Sequence, residues 1–531
     1  TVKTCTTSPK AYVSYLNETG VPLRMRGSNE SEWEQLNCDT VTPLWFDFEA
    51  ECGIPKSQHT GRNLVIGPFQ RQLEVDGTLH DIDVIVSRAP KLIKNPSHEG
   101  GNMITEVVTH EDGTKLVYIH SDVLIENNTS LNLELYVDTP QQRNLVVPPM
   151  RSSKYLPMAL CRGELLVRTG DKTQSLGSIE KFFVKPLLTK VVLKQFETPK
   201  TIIVQVKQVR DFDDPRSTRV VITITPSWII QSGIPYDIDI KTDCEQRTIR
   251  SGESCEFYTA KETAEISFST LGTEETKVSG VLSLTKKSVV VRDADGHEGY
   301  LLVDRVSEEK HKKLTLYPCD FIINYTNQAI YVANGSGSAP VAGMPAGGIP
   351  PTGQPFVILP STDGSFKLRV HPEDVTQYSE PLPTEEIGLK RVVDFVQQER
   401  TKALRYEINM AKGVFSLSRN IKVFNNYIVA NASTLPIAIT AGGLQTTVQP
   451  SDGDSHYAQK GTCTIIDIGN DDRTFRLSVD GAESIPFPLD EAGEYPICLA
   501  GHPLDVSVKD FKHATYICVY SRDPADRKSV V

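Results

Sequence analysis

The densest cluster of potential ligands is RDADGHEG, which sets Asp293, Asp295, His297 and Glu298 within one short turn. Carboxylates at alternate positions could open a calcium loop, which must wrap a hard cation in roughly six to eight oxygens. The remaining ligand positions are not filled, so the preferred reading is a polar hairpin tip. The segment RDFDDPRS, with Asp211, Asp213 and Asp214, reads the same way. Neither H-E-x-x-H, G-x-S-x-G nor a phosphate loop occurs, and the eleven histidines are dispersed. The ten cysteines form no C-x-x-C pair, which argues against a zinc site or a dense disulfide framework and favours thiols in a reducing compartment. No residue is assigned a catalytic, metal-binding or cofactor-binding role.

A second kind of residue recurs at a fixed phase. Asn17, Asn127, Asn324 and Asn431 each precede a hydroxyl residue by two positions and an alternating apolar strand. Asn-x-Thr/Ser is formally a glycan acceptor. It is equally a turn, because asparagine tolerates left-handed backbone and can hydrogen-bond groups about two residues on. Glycans need exposed loops, whereas YLN, IIN and IVAN press the residue against apolar neighbours. A partly buried turn is therefore expected. Asn29, Asn128 and Asn334 also head sequons, but at no common phase.

The elements around these turns are strands. TKLVYIHSDVLIE, STRVVITITPSWII and RTFRLSVDG alternate with period two between Gly, Pro, Asp and Asn clusters. Residues 384–406 are the best helical candidate, with a strand pair as the alternative. The fold class is all-β. With 531 residues, the chain exceeds a single core, which rarely passes about 250 to 300 residues. IIQSGIPYDIDI keeps the strand of a further copy without the asparagine, and aligns through Ile230 or Gln231. With Ile230 as its marker, successive markers lie 110, 103, 94 and 107 residues apart. A propeller blade repeats at about 40 to 50 residues, whereas about 100 is the size of a β-sandwich. The expectation is a tandem array of about five β-sandwich-like modules, elongated or curved, over 1–114, 115–217, 218–311, 312–419 and 420–531. Strands at Val117 and Ile119, Leu314 and Leu316, and Ile421 and Val423 precede the second, fourth and fifth markers. Each copy is read as entered through such a strand pair.

Other features follow this frame. Pro381, Pro383, Pro486 and Pro488 form P-x-P strings at one phase of the repeat, as edge strands allow. The Gly/Pro/Ala stretch 333–355 is read as a flexible loop inside the fourth copy, and Trp45 and Trp228 as core anchors. A net charge of -11 without long runs of either sign disfavours nucleic acid, and no stretch approaches about 18 apolar residues, so no membrane span is expected. The chain begins without methionine and ends on RKSVV, and is read as part of something longer.

Tandem β copies of this length, each with one asparagine in an apolar-Asn-x-Thr/Ser-x-apolar turn, resemble the adaptor-binding domain of the vacuolar protein sorting thirteen family. Those proteins are bridge-like lipid transfer proteins of membrane contact sites. The resemblance covers essentially the whole chain. It implies a non-enzymatic, monomeric targeting module without cofactors, cytosolic and peripheral at vacuolar, endosomal or mitochondrial contact sites, with lipid transfer left to the remainder of the parent protein. The implied partners are adaptor proteins whose P-x-P peptides dock by strand addition. The family's repeat asparagine maps onto Asn17, Asn127, Asn324 and Asn431, and the third copy departs from the pattern. In the family the peptide site is associated with copies five and six, and a sixth marker would be expected near residue 531. HATYICVYS, residues 513–521, is the candidate edge, with Tyr516, Ile517, Cys518 and Val519 as partner-binding residues; an ordinary closing strand is the alternative. The rival reading is a secreted, glycosylated Ig-like adhesion or carbohydrate-binding array.

Overall fold

Alternation in the sequence becomes alternation in burial. In the computed structural model, Val123–Asn127, Trp228–Ser232 and Tyr427–Ala432 bury every second residue, as half-buried strands must. The structure describes residues 13–27, 32–44, 70–75, 77–83, 90–94, 101–111, 114–210, 218–308, 311–334, 339–359, 368–372, 378–382, 386–397, 400–441, 444–450, 463–466, 474–489, 491–511 and 514–522.

One arrangement repeats five times. In the first copy a five-stranded sheet runs in the order Val41–Leu44, Val13–Glu18, Lys115–Ser121, Met103–Thr109, Lys91–Ile93. Its marker strand, Val13–Glu18, lies parallel to Lys115–Ser121. The same parallel pair is formed by Val123–Asn127 with Arg219–Pro226 and by Trp228–Ser232 with His311–Tyr317. It recurs as Asp320–Asn324 with Arg419–Asn425 and as Tyr427–Ala432 with Ala514–Ser521. Parallel neighbours need a long connection. Here that connection carries a second sheet, in the first copy Glu34–Leu36, Leu23–Gly27, Gln70–Val75, Thr78–Asp83. Apolar residues from both sheets meet in one core, such as Val13, Tyr15 and Ile119 with Leu23, Met25 and Leu73. The protein is thus a tandem series of β-sandwich-like repeats.

Pairing corrects one expectation. The strands read as leading into a copy close the sheet of the copy before it: Lys115–Ser121 pairs with Val13–Glu18 and Met103–Thr109. Period two identifies a strand but says nothing of its partner. We propose copy limits immediately before each marker strand. Residues 384–406 hold two antiparallel strands, Lys390–Gln397 and Arg400–Met410, rather than a helix. The stretch read as a flexible loop is packed where described: Val341 and Ile349 are fully buried, and Ile330 and Ala333 bridge to Ile349 and Pro340.

The chain divides into two compact units. The first comprises Thr1–Trp228 with Glu256–Ala260 and Glu308–Lys312, and contains copies one and two. Its Tyr258 is fully buried in the core of copy two, where the Lys200 ammonium lies 5.0 Å from the ring centroid. The second unit holds most of copy three together with copies four and five. In copy three the two sheets fuse into one of nine strands, because Lys277–Ser283 pairs with Ser288–Arg292. Gly280 makes that pairing possible, since a Cβ there would press into the Val290 carbonyl oxygen.

Candidate functional site

The four repeat asparagines are buried to within 1 % of complete and share one hydrogen-bond pattern. Asn127 Oδ1 accepts from the Thr129 N–H at 3.1 Å and from its hydroxyl at 2.7 Å, while Nδ2 donates to Leu131 O and Pro148 O. Asn17 donates to Val21 O and Leu36 O, and Asn324 to Gln328 O and Ile349 O. Asn431 donates to Leu435 O and Val448 O at 2.7 and 2.9 Å. In copies one and five the distant acceptors, Leu36 and Val448, lie on strands of the second sheet. The amide therefore closes the turn and also ties one sheet to the other. Both amide protons are committed inside the core, so these four side chains cannot carry glycans in the folded protein. That removes the repeated acceptors from the glycosylated-array reading.

The third copy keeps the turn with a different residue. Ser232, fully buried, accepts from Ile234 N–H and donates to Ile234 O, both at 3.3 Å. It stands opposite Leu316, as Asn127 stands opposite Ile224 and Asn324 opposite Val423. Neither Ile230 nor Gln231 is the marker. The available signal was spacing: Asn127, Asn324 and Asn431 follow the buried strand residues Ile119, Leu316 and Val423 by eight positions, and Ser232 so follows Ile224.

Tyr516, Ile517, Cys518 and Val519 do not lie on an open edge. Their strand is central, parallel to Tyr427–Ala432 on one side and antiparallel to His502–Phe511 on the other. Ile517 and Val519 face the core, whereas Tyr516 and Cys518 are buried on the opposite face with Ala514. The apolar composition that suggested a sticky edge reflects burial on both faces. Pro488 lies in a two-residue strand, Phe487–Pro488, which pairs with Thr474 and Phe475; Pro381 is half-buried, and Pro383 lies outside the described residues.

Asp293 is occupied by its own turn. Its carboxylate accepts from the N–H groups of Asp295, His297 and Gly343, and the His297 ring lies 3.0 Å away. Burial alone would raise this carboxyl, but the bonds from Gly343 and His297 outweigh it and hold it below the usual range. Among the described residues no three His, Cys, Asp or Glu side chains gather as metal ligands. Trp228 is largely buried at the start of its strand. Trp45, Asp211, Asp213 and Asp214 lie outside the described residues.

The open edges are elsewhere. In copy five, Gly493–Leu499 pairs only with His502–Phe511 among the described strands. Cys498 stands opposite Pro503, whose carbonyl accepts from Arg522 N–H on the far side. Opposed residues in an antiparallel ladder both turn their polar groups inward or both outward. The backbone groups of Cys498, and by alternation Glu494 and Pro496, therefore face the open side. Pro496 sits where its missing N–H costs no internal bond.

The family model described as the vacuolar-sorting associated protein 13 adaptor binding domain matches residues 89–489. No curated protein matches the chain.

Proposed function

Since this chain belongs to the adaptor binding domain family of vacuolar-sorting associated protein 13, we propose that it is a non-catalytic docking module that captures P-x-P peptides of organelle adaptors by strand addition. Such capture recruits a lipid-transfer protein to vacuolar, endosomal or mitochondrial contact sites. Recruitment through a bound peptide needs no span of its own, and no helix among the described residues is long and apolar enough to cross a membrane.

The observation that carries the reading is the open edge Gly493–Leu499. An added strand takes its affinity from backbone pairing and its specificity from alternate side chains. Prolines two residues apart point the same way along a strand, so both missing N–H groups turn from the ladder together. Glu494 and Cys498 supply the outward donors of this edge, and with Pro496 its outward carbonyls.

The test is fluorescence anisotropy of a labelled P-x-P decapeptide titrated with this chain, against its A-x-A counterpart. The double variant Glu494→Pro, Cys498→Pro leaves the edge without an outward donor. Binding by the parent, loss for A-x-A and at least tenfold weakening in the variant are expected. Undiminished binding by a variant of unchanged melting temperature would sink this edge as the site.

A further inference from the structure

Copy two presents a second open edge of different chemistry. Leu187–Leu193 pairs only with Lys200–Val209 among the described strands. Its odd-numbered residues enter the core, where Val191 and Leu193 are fully buried. Its even-numbered residues stand on the outer face: Leu188 is 71 % exposed and Val192 38 %, with Lys190 exposed between them. Val184, just upstream, is 84 % exposed. Lone exposed apolar residues are ordinary, but a row of them on an unpaired strand edge is what proteins avoid.

The backbone of this edge is oriented outward at those same even positions. Val192 stands opposite Thr201, and the Thr201 N–H donates to Tyr258 O at 2.7 Å on the side away from Val192. The pair is thus not hydrogen-bonded across the ladder, and Val192 points its N–H and C=O to the open side. Alternation gives Lys190 and Leu188 the same orientation. Copy three shows what such an edge accepts. Its corresponding strand, Ser288–Arg292, is covered by an antiparallel strand, Lys277–Ser283.

Charge selects the occupant. Residues 180–194 carry exposed Lys181, Lys185, Lys190 and Lys194 against the single acid Glu180, in a chain whose net charge is -11. We propose that Leu187–Leu193 is a docking edge for an extended acidic peptide of a partner protein, with an apolar-x-Asp/Glu-x-apolar pattern. The acid lies beside Lys190 and the apolar residues beside Leu188 and Val192, because cross-strand neighbours on one face are in contact. The pattern is symmetric, so it fits in either strand direction. This site is separate from the P-x-P edge of copy five.

The probe is a labelled Thr-Leu-Thr-Asp-Thr-Val-Thr peptide, compared with the same peptide carrying Lys for Asp, titrated with the full chain. The acidic peptide should bind at least tenfold more tightly. Lys190→Glu should reverse that preference and leave P-x-P binding unchanged. Val192→Pro, which removes an outward donor but no internal bond, should weaken the acidic peptide at least tenfold at unchanged melting temperature. Retained binding in Val192→Pro, or an acid preference that survives Lys190→Glu, overturns the proposal. So does capture of the chain by phosphatidylserine vesicles, lost in Lys190→Glu, with no peptide binding, because the edge would then serve a membrane surface. A dimer in sedimentation that dissolves in Val192→Pro, again without peptide binding, overturns it in favour of a second copy.

Discussion

Arg419 grips Asp320 through two hydrogen bonds, Nε to Oδ1 at 2.6 Å and Nη2 to Oδ2 at 2.9 Å. The two residues stand opposite each other where the marker strand of copy four and its parallel neighbour begin. The Asp320 side chain is fully buried and that of Arg419 only 17 % exposed. Burial pushes the Asp320 carboxyl up to about 6, against the opposing pull of the guanidinium. The pair fixes register at the price of two desolvated charges.

Arg419→Met should therefore destabilise the second unit by about 3 to 5 kcal/mol at pH 8, since a buried carboxylate loses its partner. An unfolded aspartate titrates near about 3.9. A raised folded value means that the folded chain holds a proton the unfolded chain has lost, so the favourable contribution is complete below about pH 4 and disappears as pH rises through the folded value. Without Arg419 the folded value climbs further. The deficit should then shrink between pH 8 and pH 5 in denaturant titrations; an unchanged deficit would absolve the carboxylate.

The turn residues should rank by the bonds they make. Asn127→Ala strands the Thr129 N–H and the carbonyls of Leu131 and Pro148, and should cost at least about 2 kcal/mol, given about 1 to 3 kcal/mol per unsatisfied buried group. Ser232→Ala removes only the exchange with Ile234 and should cost about 1 kcal/mol. Urea unfolding of both variants measures the order. Mass spectrometry of the natively expressed protein should find Asn17, Asn127, Asn324 and Asn431 unglycosylated.

In copy one, fully buried His120 stacks on Tyr155 with ring centroids 3.6 Å apart and faces Glu106 at 3.4 Å. The His120 imidazole beside it holds the Glu106 carboxyl below its usual range despite burial. A depressed carboxyl contributes stability above its unfolded value, lost as pH falls through the folded one. His120→Phe keeps a stacking ring but removes that partner. The variant should be less stable at pH 7, with a deficit that closes towards pH 3. A deficit persisting in acid would assign the loss to packing.

Gly280→Val should open the seam of the nine-stranded sheet, because its side chain would strike the Val290 carbonyl and the Val291 side chain. Amide exchange at Val290 and Val291 should accelerate at least tenfold, while Ile517 and Val519 in copy five stay protected. Unchanged exchange at the seam would mean that the strands pair without needing the glycine.

Much of the fold was legible in the residues. Alternation identified strands, and the asparagine phase counted copies, because a turn that must satisfy buried backbone groups tolerates few side chains. Ser232 escaped for the same reason in reverse. A hydroxyl satisfies fewer groups, and within IIQSG nothing distinguishes it; only its eight-residue spacing from Ile224 marks it, and its strand then stands opposite Leu316.

The sequence by itself determined the all-β class, the five-fold repetition and the turn chemistry, all of which act within a few residues. Tertiary structure alone decided which strands are neighbours. It placed Lys115–Ser121 in the sheet of copy one, put Tyr516 and Cys518 on a central strand, and left Gly493–Leu499 and Leu187–Leu193 open among the described strands. An apolar strand has the same pattern whether a neighbour or a partner completes it. Only long-range pairing shows which backbone groups remain unpaired, and those groups are where another chain can bind.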